Sequence, residues 1–440
     1  MMERYIMEIK CIKLNDLTES ICENNFKVRY MLPGETAEFI NRKHKVIHEV
    51  DIRVASPHRA KVICPIFYEC GGCDFLHIKY NEQLRLKEDY IHKLFQKFNI
   101  RTTIHPMIKN DEPLNYRHKV VATATTSKNK LRLGLYQENS KNIIPFLDCY
   151  IQDKELNEVL KTTEKVLNKY KMSAYDINKE TGIIKHIMMR KSLANGQMLL
   201  VFVTNGYLLP NAKKMIQEIY AAHPKIMTFV QNVHLKKTHL VLLDEEKILS
   251  GTGYIEDEID SIRFRLSSKS FYQVNPKQMM KLYQKAIELA QITKDDIVMD
   301  TYSGIGTISL IAAKSAKKVI AVETNQTAHQ DAMFNKKNNG IANIYFYNDD
   351  VSNFMLNFNE KVDCLIMDPP RDGASESFLK AVMKMAPKKI VYISCEPETQ
   401  IRDLMILKDA YRIKDIQPVD MFSNTEHLES IALLELSYSL

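Results

Sequence analysis

Cys395 follows the apolar run Ile390-Val391-Tyr392-Ile393 and precedes Glu396-Pro397, which places a thiol at the end of a buried strand. A thiolate there could serve as a covalent nucleophile and later be expelled as a leaving group. On its own such a cysteine is as readily a small buried apolar residue. A base to work with it is sought in Glu426-His427-Leu428-Glu429-Ser430, a polar stretch between two apolar runs, where Glu429 is the candidate and His427 its rival.

A second set of residues suits a nucleoside ligand. Asp300-Thr301-Tyr302-Ser303-Gly304-Ile305-Gly306-Thr307 lies between an apolar run and a helical stretch, so its glycines allow a tight turn beside a ligand. The next apolar run ends at Glu323, where a carboxylate can take both hydroxyls of a ribose. A dinucleotide fingerprint would carry a third glycine near position 309, where Ser309 stands, whereas S-adenosylmethionine has no phosphate to bind. Asp349-Asp350 and Asp368-Pro369-Pro370-Arg371 end two further apolar runs, on the rim where open α/β sheets hold ligands.

Amino-group methyltransferases place an aromatic residue after Asp-Pro-Pro, and here it is Arg371, which points away from them. With a cysteine on the same rim, the chemistry that fits is methylation of a pyrimidine carbon. Carbon 5 of uracil is a poor nucleophile until a thiolate adds to carbon 6, and a base must then remove the proton from carbon 5.

Cys64, Cys70 and Cys73, with Gly71 and Gly72 between the last two, supply three sulfurs within ten residues, and Cys149 is the best available fourth. Four thiolates suit an iron-sulfur cluster or zinc, and the spacing does not separate them.

Elements must bring these groups together. Residues 1–58 alternate short apolar runs with turn residues, which suggests an OB-like β-barrel. Residues 59–260 read as an α+β domain with the cysteines, a helical stretch over YNEQLRLKEDYIHKLFQKF and strands such as KVVATAT, LRLGLYQ, IKHIMMRKS and QMLLVFVTN. Residues 261–440 alternate strand and helix, the pattern of a doubly wound, mostly parallel sheet, so the fold class is α/β. A chain of 440 residues has room for several such cores. No apolar run nears the ~20 residues of a membrane span, so no membrane association is expected and the location read is cytoplasmic. The net charge of +7 fits a polyanionic partner. NYRHK (115–119) and MMRKS (188–192) could contact phosphates, or be solvated strand edges.

The segments CPIFYECGGCDFLHIKYNEQLRLK, FYQVNPKQ, DTYSGIGTISL, LIMDPPRDG, YISCEP and HLES, in this order, resemble the RNA uracil-5-methyltransferase family, in particular its iron-sulfur branch acting on 23S ribosomal RNA. The resemblance implies a Rossmann-like class I methyltransferase domain at the C-terminus, a TRAM-like barrel at the N-terminus and a four-iron, four-sulfur cluster on Cys64, Cys70, Cys73 and Cys149. It implies an S-adenosylmethionine pocket using Gln273, Tyr302, Thr307, Glu323 and Asp368, with Asp350 aligned more loosely. It also implies Cys395 as nucleophile and Glu429, rather than His427, as base. The first hairpin lacks the glycines usual in the barrel, and Thr307 stands where Asn is frequent. The expected product is 5-methyluridine, made by a monomer on a flipped-out loop uridine. Transfer RNA is the alternative substrate and amino-group methylation the more distant one.

Overall fold

The computed structural model describes residues 7–39, 45–238 and 240–437; the expected outer limits of the first and last domains, residues 1 and 440, lie outside them. The C-terminal apolar runs become strands because both faces of their sheet are covered, so the side chains of the central strands are buried almost without a break, while Tyr345 and Tyr347 of the edge strand stay exposed. Ile297–Asp300, Lys318–Val322, Ile344–Tyr347, Cys364–Met367 and Lys389–Ser394 are parallel, and Glu429–Leu436 runs antiparallel between Lys389–Ser394 and Tyr411–Val419. Side chains alternate between two cores: Val319, Ala321, Ile366, Val391 and Ile431 lie on one side, Ile320, Val322, Leu365, Tyr392 and Ala432 on the other.

The strands KVVATAT, LRLGLYQ, IKHIMMRKS and QMLLVFVTN all enter a seven-stranded sheet. Helices Lys154–Lys169 and Ala212–Ala222 cover one face. The other face, through Met188, Leu199, Val201, Val203 and Val230, is continuous with a core of the C-terminal sheet. At the N-terminus five antiparallel strands enclose a small core containing Cys11 and Cys22, cross-strand partners and both buried.

Helix Tyr80–Lys97 belongs by sequence to the middle segment, yet it packs Ile91, Leu94 and Phe95 into a core of the C-terminal sheet. The chain after it adds Thr103–Ile104 as that sheet's eighth strand, parallel to Tyr411–Val419. An amphipathic stripe states that a face will be buried, not against what. Among the described residues no helix is long and apolar enough to cross a membrane.

Candidate active site and cysteine cavity

Asp300, Glu323, Asp368 and Cys395 each stand at or just beyond the carboxyl end of a parallel strand. Glu429 is the first residue of the antiparallel strand, so it opens on the same rim. Ser394 pairs with Ser430, which sets Cys395 and Glu429 beside each other one step past the ladder. The turn after Cys395 is tied by Glu396 N–H donating to Ser394 Oγ at 3.1 Å and Ser394 Oγ–H donating to Glu396 O at 3.0 Å. Helix Pro397–Leu407 follows at once, its proline in the first turn where no N–H is needed.

The electrostatics tie these groups together. Burial, and then the charges of Glu429 and Asp368, push the half-buried Cys395 thiol up to about 11, while Arg371 opposes them through its charge and a hydrogen bond to the sulfur. Glu429 is 1% exposed, its Oε2 has no partner, and burial with the Asp368 charge holds it well above the usual carboxylate range. Burial and then the charge of Asp300 raise Asp368 to about 7. Burial raises Asp300 itself to about 6; Ser309 donates to its Oδ2 at 2.6 Å, and its Oδ1 has no partner.

The glycine loop lies beside this group. Glu323 accepts the Gly304 N–H at 2.8 Å and the Asn325 N–H at 2.6 Å. Gly304 has φ of +54°, and a Cβ there would meet nothing within 4 Å; at Gly306, with φ of +85°, a Cβ would lie 2.7 Å from Phe346. The first glycine therefore borders open space and the second a packed ring. Tyr302 lies edge-on against Phe378, its phenol pushed up to about 12 by burial and then by the charge of Asp350. Gln273 is 8% exposed and hydrogen-bonds the buried Tyr283 phenol, which also feels Asp368, Glu429 and Asp300. Thr307 starts the helix after the loop. Asp350 is exposed and caps helix Val351–Asn357 by accepting the Asn353 N–H at 3.1 Å.

Open space over Gly304, an unpartnered Ser303 Oγ and two buried acids, Asp300 raised further by the charge of Glu323 and Asp368 by that of Asp300, fit a ligand bearing hydroxyls and a positive charge. An ammonium or sulfonium would relieve that repulsion. Sequence reading passed over Asp300, Tyr283 and Arg371 as site members. Arg371 had a signal in its place after Asp-Pro-Pro; Tyr283 sits in a helix and had none.

Cys64, Cys70, Cys73 and Cys149 line one cavity of about 1010 Å³, together with Arg117 and His427. None of the four is in a disulfide, and burial raises every one of their thiols. A single zinc needs sulfurs converging to about 2.3 Å from one point. Among the described residues no three His, Cys, Asp or Glu side chains are grouped to hold a metal ion, although the four cysteines line one cavity. Cysteine thiolates are soft donors of the kind that both zinc and iron-sulfur clusters take. His427 lines this cavity, whereas the Glu429 charge acts on Cys395.

The two basic stretches pair in register, Arg190 opposite Lys119. Arg190 is 2% exposed and donates to Ser270 O at 2.6 Å, while Lys191 pairs with Asp153 at 2.8 Å. Neither is a solvated strand edge, and Arg190 is out of reach of a phosphate on the surface.

Comparison with known proteins places these features in a family. The profile of the tRNA (uracil-5-)-methyltransferases matches residues 79–437. An uncharacterized RNA methyltransferase of Halalkalibacterium halodurans is 39% identical over 388 residues, 87% of this chain and 85% of the relative. One of Oceanobacillus iheyensis is 38% identical over 420 residues, 93% and 91% of the two chains. The crystal structure of Pyrococcus abyssi tRNA (uracil-54, C5)-methyltransferase with S-adenosyl-L-homocysteine superposes with a TM-score of 0.78 at 24% identity, covering 97% of this chain and 99% of that one. The α/β fold is thus shared with that structure, and by its match over residues 79–437 and to these relatives the chain belongs to the tRNA (uracil-5-)-methyltransferase family.

Proposed function

We propose that this chain methylates carbon 5 of a uridine in 23S ribosomal RNA, with S-adenosylmethionine as methyl donor. The observation that carries the reaction is the meeting of Cys395, Glu429 and Asp368 on one rim beside the open Gly304 loop. When bound, S-adenosylmethionine supplies an electrophilic methyl group. Gln273, Tyr302, Thr307, Glu323 and Asp368 would hold it, with Asp300 beside them and Asp350 at the outer wall; Asp300 and Asp368 would face its charge.

In the free protein the Cys395 thiol keeps its proton. Arg371, bonded to the sulfur, favours the thiolate and so eases loss of that proton to solvent as the base enters. The sulfur adds to carbon 6 of uracil, and the electrons of the 5,6 double bond move towards carbon 5 and the O4 carbonyl. Carbon 5 then takes the methyl group. Glu429, its own proton given up to solvent before this step, removes the proton left on carbon 5; the electrons of that C–H bond restore the double bond, and the bond from carbon 6 to Cys395 breaks. A base held well above the usual carboxylate range suits that last step, because it keeps the proton while the thiolate leaves.

The four cysteines would hold a four-iron, four-sulfur cluster away from the reacting carbon, and no step is assigned to it. Transfer RNA is the second reading, favoured by the named substrate of the Pyrococcus abyssi enzyme. Transcripts of 23S and transfer RNA containing 5-fluorouridine separate the readings, because fluorine cannot leave as a proton does and the adduct persists. A Cys395-dependent adduct with the 23S transcript alone is expected, one with transfer RNA alone moves the substrate to the second reading, and none with either sinks the mechanism.

A further inference from the structure

Glu429 presents a difficulty that its surroundings answer. Its Oε2 has no hydrogen-bond partner, so no bond to that oxygen fixes the carboxyl and its placement leans on the backbone and on packing. That backbone emerges from the segment 420–428, which joins Tyr411–Val419 to Glu429–Leu436. The segment is gripped from outside the sheet.

Asp74, next to Cys73, makes the central contacts. Its N–H and that of Phe75 both donate to Asn424 O at 3.0 Å. Its Oδ2 accepts the Glu426 N–H at 3.1 Å, and its Oδ1 accepts from Arg29 of the N-terminal sheet at 3.0 Å. Other residues close on the same segment. Gln83 accepts the Asn424 N–H at 3.0 Å and donates to Asn424 Oδ1 at 3.1 Å. Asn424 Nδ2 donates to Pro113 O at 2.6 Å, and Tyr116 donates to Ser423 O at 3.0 Å. Lys87 donates to Asp420 at 2.7 Å and to His427 O at 2.8 Å. Asn424 takes a left-handed φ of +66°, a conformation that these bonds hold in place.

We infer that Asp74 is a positioning residue for Glu429: the cysteine-bearing loop clamps the segment that carries the base, and Asp74 is its contact point. This rests on the reading of Glu429 as the base. A loosened clamp leaves addition at carbon 6 and methyl transfer largely intact, because Cys395 and Asp368 directly follow strands that Asp74 does not touch. It slows the proton removal that frees the RNA, so the methylated RNA accumulates covalently bound to the protein.

The test uses the full chain with S-adenosylmethionine and unmodified RNA, counting covalent complex on denaturing gels during turnover. Asp74→Ala is expected to raise the steady-state complex about tenfold, in keeping with the cost of misplacing a catalytic group by a fraction of an ångström to an ångström. Asp74→Asn, which still offers an oxygen to the Glu426 N–H, is expected to restore most of the release rate. Tyr116→Phe fills the same space and drops the hydroxyl's bond to Ser423 O together with its contact to Arg117, so it should raise the complex several-fold even if Asp74→Ala does not fold. Glu429→Gln is the reference. If it gives no excess complex, the base is misassigned and this inference falls with it. If it does, while Asp74→Ala and Tyr116→Phe behave as wild type, the inference alone falls.

Discussion

At the scale of single residues the site is a set of acids held close to the edge of ionisation. Asp300 sits at about 6 and Asp368 at about 7 in the folded protein, raised chiefly by burial. In the unfolded chain both would ionise near ~3.9. With folded values above unfolded ones, their contribution to stability is full below about 4 and is lost as pH rises through about 7. A bound ammonium favours the ionised forms and reverses that trend. Affinity for S-adenosylhomocysteine, measured by calorimetry, is therefore expected to rise several-fold between about pH 5.5 and about pH 8. A flat profile would remove these two acids from the ligand's charge. Cys395 and Glu429 were legible in sequence because each stands beside an apolar run that announces a strand. Asp300 was quoted there only as part of a turn. Its meaning comes from the neighbouring strand that ends near Asp368, and strand adjacency is not written in spacing.

Among the elements, helix Tyr80–Lys97 carries the largest unannounced role. Its inward stripe includes Gln83 and Lys87 as well as Ile91, Leu94 and Phe95, so the turns nearest its N-terminus are polar where a hydrophobic pattern would be sought. Lys87 is fully buried and Asp420 is 1% exposed; Asp420 Oδ2 also accepts from Tyr80 at 2.7 Å and Ser423 at 2.6 Å. Lys87→Met would leave that carboxylate buried without its cation, at a cost of about 3–5 kcal/mol in urea unfolding. A loss below about 1 kcal/mol would mean that the pair is no better than a surface one. The strands of the C-terminal sheet were readable because continuous apolar runs require cover on both faces. What covers them was not, since one face is shared with the seven-stranded sheet.

For the whole molecule, the boundary drawn at residue 261 by the change in sequence rhythm does not coincide with a boundary in the packing. Residues 261–437 alone would lose the helix, the edge strand Thr103–Ile104 and the apolar face built on Met188, Leu199, Val201, Val203 and Val230. Such a fragment is expected to show no cooperative melting by circular dichroism, while the full chain does; a cooperative transition in the fragment would contradict the shared core. The edge strand also bears on how the chain is made. His105, just past it, bonds Asp415 at 2.8 Å across 310 positions of sequence. At roughly 5–20 residues per second, the ribosome delivers that partner about a quarter of a minute to a minute later. Through that interval Ile91, Leu94 and Phe95 have emerged before the last part of their core, from Tyr411 to Leu434, so the nascent chain carries an incompletely covered apolar face that a chaperone can hold until its last strands arrive.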